Sequence, residues 1–217
     1  MSDSKALRTM MVDTQVRPSD VTKYPIIEAM LAVRREDFVP DALRAAAYAD
    51  APVALDGGRV MLEPRTLAKM LDALEIESDE LVLDLGCGLG YSAAIIARMA
   101  DFVVAREEDE ALVAEAERRL GAAGVDNVAV IAGPLAAGDD KHGPYDVIVV
   151  EGAADLVPDA LVAQLKEGGR IAAILTDGSA GALRIGFKRD GHLDWRFGFN
   201  ATAPVLPGFE KTVEFAL

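Results

Sequence analysis

An apolar run that breaks into three closely spaced glycines, with a carboxylate following about twenty residues later, constrains this chain more than any other feature. The run is Leu81 to Leu85, LVLDL, and the glycines are Gly86, Gly88 and Gly90 of GCGLGY. Apolar residues around the one acid Asp84 read as a short buried strand, and the glycines after it permit a tight turn and close approach of backbone to a ligand. A helix is predicted from about Ser92 to Met99, and Phe102 to Ala105, FVVA, reads as a second buried strand. Glu107 falls at the carboxyl end of that strand, where the acid of a ribose-binding βαβ unit belongs.

Loop chemistry narrows the ligand. A dinucleotide fingerprint needs G-x-G-x-x-G, whereas here Tyr91 stands three residues after Gly88 and the third glycine arrives one position early, at Gly90. A nicotinamide-dependent oxidoreductase therefore fits the spacing poorly. Asp84 would set a negative charge beside a diphosphate, but it suits a ligand that carries an ammonium group, and the helix start after the loop suits that ligand's carboxylate. S-adenosylmethionine carries both groups. On this reading Asp84, Gly86, Cys87, Gly88 and Gly90 surround its amino acid and ribose, and Glu107 takes the ribose hydroxyls. Taken singly, Asp84 is compatible with capping the turn, and Glu107 with the solvated acids of EEDEALVAEAERR; the combination carries the assignment.

Composition excludes several classes. A formal net charge of -14 over 217 residues argues against general binding to nucleic acid or anionic membrane. The pairs Arg34-Arg35 and Arg118-Arg119 read as solvated helix faces. The single cysteine, Cys87, forms no internal disulfide and reads as a small loop residue rather than a nucleophile, which implies a reducing, cytoplasmic setting. The start, MSDSKALRTMMVDTQ, lacks the apolar core of a signal peptide, and no stretch approaches the roughly 18 apolar residues of a membrane span. His142 and His192 read as exposed bystanders, so no metal site is expected, and oligomeric state is not legible.

The first sixty residues differ from the rest. Residues 1–60 read as a helical accessory segment without strands, and residues 61–217 as an α/β domain for S-adenosylmethionine, the two forming one compact unit. Ile26, Ile27, Met30 and Leu31 recur at helical spacing behind Pro25, a short helix is predicted from Pro40 towards Ala46, and Pro64 opens a helix with Leu67, Met70, Leu71 and Leu74 on one face. Beyond Leu81 the pattern alternates: helix Asp109 to Leu120, strand Val128 to Ile131, strand Asp146 to Val150, helix Pro158 to Gln164, strand Arg170 to Leu175. Apolar runs without strict alternation mean a doubly wound, mostly parallel sheet covered on both faces. Leu183 to Lys188 and Leu193 to Phe199 flank Asp190-Gly191 as an antiparallel hairpin, with Thr212 to Phe215 as a further edge strand.

Beyond these readings, the chain resembles the protein L-isoaspartate O-methyltransferases over roughly Met11 to Leu175. Gln15, Arg17, Arg35, Glu36, Phe38, Val39 and Pro40 match that family's amino-terminal signature, AYADAPVAL its next block, and PYDVIVVEGAADLVPDALVAQLKEGGRI its fourth and fifth strands with their connecting helix. The resemblance implies a class I methyltransferase fold, S-adenosylmethionine as donor, and as acceptor a damaged aspartyl carboxylate in a protein or peptide, or a drifted substrate. It implies no catalytic base, because such a carboxylate is already ionised at neutral pH. It also places Gly133 at the border of the adenine, and Val60, Met61, Leu62 and Glu151 at the methyl end. There the chain departs from the family: Val60-Met61-Leu62 stands for Thr-Ile-Ser, Gly133-Pro134 for Gly-Asp, and Glu151 for a small or hydroxyl residue. These losses leave open a non-catalytic module that binds a nucleoside or a partner.

Overall fold

The computed structural model describes residues 2–176 and 180–211. Helix α1 (Ser2–Met11) runs on through a wider turn at Val12–Val16 and a tight one at Arg17–Ser19. Pro25 sits in the first turn of α2 (Tyr24–Ala32), where its missing N–H is no loss. The stretch predicted as a helix behind Pro40 forms a tighter 3₁₀ helix, Asp41–Ala46. Two strands then appear in the segment expected to hold none: β1 (Val53–Ala54) and β2 (Val60–Met61) pair antiparallel around Asp56-Gly57-Gly58. Two-residue strands are too short to carry a period, so the sequence pattern could not reveal them.

Helix α3 (Pro64–Leu74) buries the predicted stripe Leu67, Met70, Leu71 and Leu74 and delivers the chain to β3 (Leu81–Leu85). Then follow α4 (Tyr91–Ile96), β4 (Phe102–Glu107), α5 (Glu110–Ala122), β5 (Val128–Ala132), β6 (Tyr145–Ala154), α6 (Asp159–Gln164) and β7 (Leu165–Thr176). Asp109 starts α5 by accepting from the backbone N–H groups of Ala111 and Leu112. The tail pairs β8 (Gly181–Arg189) with β9 (His192–Asn200) across Asp190 and Gly191, both left-handed, with φ 50° and 79°. The predicted strand Thr212 to Phe215 lies outside the described residues.

One seven-stranded sheet results, in the order β5-β4-β3-β6-β7-β8-β9, parallel from β5 to β7 and antiparallel beyond. Strands β6 and β7 are longer than predicted because Glu151-Gly152 and Lys166 to Gly169 interrupt their apolar runs without ending the pairing, which shifts register between Val149 and Ala153. One sheet face (Val82, Val103, Ala105, Val147, Val149) packs with Met11, Ile26, Met30, Phe38, Leu67 and Ile95 in a shared core. The other (Leu83, Leu85, Val104, Ile148, Val150) packs with Tyr145, Leu161, Leu206 and Phe209.

Both arginine pairs divide their labour, which corrects the expectation of solvated faces. Arg34 and Arg118 are exposed, but Arg35 is fully buried and Arg119 nearly so. Arg35 donates to the carbonyls of Ala47 and Leu62 at 2.8 and 2.7 Å and lies over the Tyr91 ring. Arg119 donates from α5 to the carbonyls of Asp37 and Val39. Sequence pattern misses such roles because a guanidinium can satisfy backbone carbonyls that no side-chain period announces.

Candidate nucleoside-binding site

Strand register assembles the site. Leu85 of β3 faces Arg106 of β4 on one side and Val150 of β6 on the other. The next residue of each strand therefore brings Gly86 between Glu107 and Glu151, at the crevice where the strand order reverses and open α/β sheets bind ligands. Gly86, Gly88 and Gly90 have φ of 82°, 55° and 93°, a conformation that side chains with a Cβ resist. The turn runs directly into α4, whose Ser92 hydroxyl donates to Asp84 at 2.7 Å.

Three acids meet there, all withdrawn from water. Asp84 and Glu107 are 0% exposed and Glu151 is 5% exposed, so Glu151 does not face solvent. The outer oxygens Asp84 Oδ1 and Glu151 Oε1 have no hydrogen-bond partner among the described residues. Burial pushes the Asp84 carboxyl up to about 7; Glu107 adds to that shift, while Ser92 and Arg59 oppose it. Burial, reinforced by Asp84, also drives Glu151 well above the usual carboxylate range, which favours its neutral form. The Cys87 thiol is buried and pushed up by the same desolvation and the same acids, so it is held as an inert thiol.

Glu107 is fully engaged. Its Oε2 accepts from the backbone of Gly88 at 2.9 Å, and its Oε1 from the backbone of Glu108 at 2.8 Å. Oε1 also meets Arg59 Nη1 at 3.0 Å, and Arg59 Nη2 donates to the Gly86 carbonyl at 2.9 Å. Arg59 reaches in from the end of the Asp56-Gly57-Gly58 turn and is 7% exposed along its side chain. Its guanidinium fills the space over the glycine loop: a Cβ added at Gly86 would lie 2.5 Å from Nη2, and one added at Gly88 would lie 2.6 Å from Leu55 Cδ1. The roof is completed by Leu206, which the backbone bonds between Ala153 and Pro204 and between Leu206 and Ala153 hold beside β6.

The remaining candidates are spread around this centre. Gly133, at φ 140°, lies against the guanidinium of Arg106, which pairs with Asp139 at 3.6 Å. Val60 and Met61 are half-buried in β2, whereas Leu62 is 2% exposed. Leu62 also lines a cleft of about 440 Å³ with Pro52, Glu63, Thr66, Gly181 and Thr202. His142 leans on Asp139 at 3.0 Å and His192 is exposed at the hairpin, both away from the acids. Sequence reading missed Arg59, Leu55 and Leu206. The available signal was that Arg59 is the one basic residue between Arg44 and Arg65, next to the methyl-end segment.

The buried acids set a pH dependence of known sign. Asp84 binds its proton more tightly folded than unfolded, so its contribution to stability is complete below about pH 3.8 and declines as pH rises towards about 7. Glu151 acts in the same direction. The acids held below their ordinary range, Glu36, Glu75, Glu115 and Asp146, change stability only in more acidic solution. Urea unfolding is thus expected to show a lower midpoint at about pH 8 than at about pH 5, with a smaller decline in Asp84→Asn. An equal decline in that variant would remove Asp84 as the source.

With this geometry in view, comparison with known proteins decides the family. Residues 8–193 match the protein-L-isoaspartate(D-aspartate) O-methyltransferase family. The chain belongs to that family. It is 37% identical over 191 residues to protein-L-isoaspartate O-methyltransferase 2 of Pelobacter propionicus, covering 87% of this chain and 84% of that one. It is 40% identical over 169 residues to the protein-L-isoaspartate O-methyltransferase of Methylorubrum extorquens, covering 78% and 74%. A solved protein-L-isoaspartate O-methyltransferase shares the fold with a TM-score of 0.80 and 25% identity, over 94% of this chain and 66% of that one. A second, from Plasmodium falciparum in complex with S-adenosyl-L-homocysteine, does so with a TM-score of 0.79 and 21% identity, over 94% and 97%. The doubly wound, mostly parallel sheet with its antiparallel carboxyl-terminal strands is the fold of this O-methyltransferase family.

Proposed function

We propose that this chain is an S-adenosylmethionine-dependent O-methyltransferase that esterifies the carboxylate of isoaspartyl residues in a protein or peptide. The observation that carries the reading is the β3 loop with Asp84, flanked by Glu107 from β4, in a chain whose family match spans 8–193. The donor set suits S-adenosylmethionine: among the described residues Asp84 Oδ1 is a buried acceptor without a partner, free for an ammonium, and over Gly86 and Gly88 the space is held only by the ends of the Arg59 and Leu55 side chains. S-adenosylmethionine, when bound, supplies a methyl group already made electrophilic by its sulfonium.

The chain's own residues then have to position and exclude rather than move protons. An acceptor carboxylate with an ordinary pKa near 3.9 is ionised at neutral pH, so orientation supplies the rate. Two charges about 4 Å apart repel by roughly 1 kcal/mol in water and about 4 in a partly screened site. Burial raises the Glu151 carboxyl well above the usual carboxylate range, which lessens that repulsion. Leu206, beside Gly86 and Gly152, covers the loop from the β6 side.

Incubating the protein with methyl-labelled donor and an isoaspartyl peptide is expected to yield base-labile methyl ester, and its absence at high protein concentration would reject the repair activity. A second reading, a non-catalytic nucleoside-binding or partner-binding module, is favoured by one observation: Arg59 and Leu55 fill the cradle while Val60-Met61-Leu62 lacks the family's hydroxyls. Turnover of any acceptor would remove it. Among the described residues no helix is long and apolar enough to cross a membrane, and a cytoplasmic setting remains part of this proposal, resting on the lone Cys87 held as a free thiol.

A further inference from the structure

We propose that Arg59 is an internal competitor for the donor: its guanidinium occupies the Glu107 carboxylate where ribose hydroxyls would bind, so that donor entry requires the Leu55–Arg59 segment to swing outward. This rests on the donor reading above. A guanidinium held by Glu107 at 3.0 Å and by the Gly86 carbonyl at 2.9 Å fills the space in front of those acceptors that a ribose would need, and the distance of 2.5 Å from a Gly86 Cβ position shows how closely it lies on the loop.

Charge explains why a cation sits there. Asp84, Glu107 and Glu151 place three carboxyls in one buried volume, and Arg59 lowers the cost of both Asp84 and Glu151. S-adenosylmethionine brings positive charge of its own, so the exchange of side chain for donor keeps the acids compensated. Arg59 in this sense mimics the ligand.

The segment is built to move. Gly57 and Gly58 hold φ of 66° and 74° with open space around both, and β1 and β2 are joined to each other by only two residue pairs. The backbone bonds at the tip, Leu55 N–H to the Arg59 carbonyl at 2.9 Å and Arg59 N–H to the Asp56 carbonyl at 3.3 Å, are local and can travel with it. Leu55, packed over Gly88, would leave with the same motion.

Calorimetric titration with S-adenosylhomocysteine, on the full chain and on Arg59→Ala and Arg59→Lys, tests this. Arg59→Ala is expected to bind at least tenfold more tightly than the parent, with Arg59→Lys between them because it keeps the charge but loses the bond pair. Amide exchange of the parent is expected to rise at Leu55 and Arg59 when the nucleoside is added. Equal or weaker binding by Arg59→Ala overturns the proposal while leaving the donor site standing. No binding by any of the three, at millimolar nucleoside, overturns the donor reading itself. Should Arg59→Ala fail to fold, unchanged or slower exchange at Leu55 and Arg59 in the liganded parent would sink the proposal.

Discussion

Replacing Glu107 by alanine is expected to lower the free energy of unfolding by about 3–5 kcal/mol, a large share of the 5–15 typical of a domain. The carboxylate is 0% exposed and answers four donors at once: the Arg59 guanidinium and the backbone N–H groups of Gly88, Glu108 and, more distantly at 3.4 Å, Asp109. Its loss strands a buried charge and leaves the buried Gly88 N–H unmet, worth about 1–3 kcal/mol, while the N–H groups of the exposed Glu108 and Asp109 can turn to water. Arg59 can relieve part of the strain by turning outward, so the double variant with Arg59→Ala is expected to be less destabilised than the sum of the singles. Urea unfolding of the four proteins measures this. A loss under about 1 kcal/mol for Glu107→Ala would mean that the pair is already open in solution, and would identify the acid as a ligand group rather than a structural one.

Leu62→Ser is the second variant with a large expected effect, and its two consequences oppose each other. Leu62 is 2% exposed and its removal leaves a cavity, for an expected loss of about 2–5 kcal/mol in stability. The same change restores a hydroxyl where the family carries one. A hydrogen bond to a charged acceptor is worth about 1.5–3 kcal/mol, so kcat/KM for an isoaspartyl peptide is expected to rise roughly 10- to 150-fold. Arg35 holds the Leu62 carbonyl at 2.7 Å and fixes the backbone independently of the side chain, which keeps the new hydroxyl in place. Unchanged kcat/KM in a folded variant would show that position 62 faces the core and not the acceptor.

Legibility in the sequence followed the physics of each element. The helices and the parallel strands were readable because burial on both faces imposes apolar runs and one-sided stripes, as at Leu67, Met70, Leu71 and Leu74. The glycine turn was readable because left-handed backbone demands glycine at particular spacings, and strand register brings Asp84 and Glu107 beside it. The contents of the crevice were not. Arg59 lies 48 residues from Glu107, and a pairing over that distance leaves no local mark. Arg35 and Arg119 were misread for a related reason: adjacent arginines at a helix edge resemble a solvated face, and only the folded chain reveals that each second guanidinium ends on main-chain carbonyls.

The grip of Arg119 on Asp37 and Val39 spans 82 and 80 residues. At a synthesis rate of about 5–20 residues per second, the segment around Phe38 leaves the ribosome roughly 4–16 seconds before the helix that anchors it. During that interval Phe38 and Val39, which end up almost wholly buried, have no finished sheet to lie against. Until that helix emerges, the apolar surface of the nascent amino-terminal segment stays open to water.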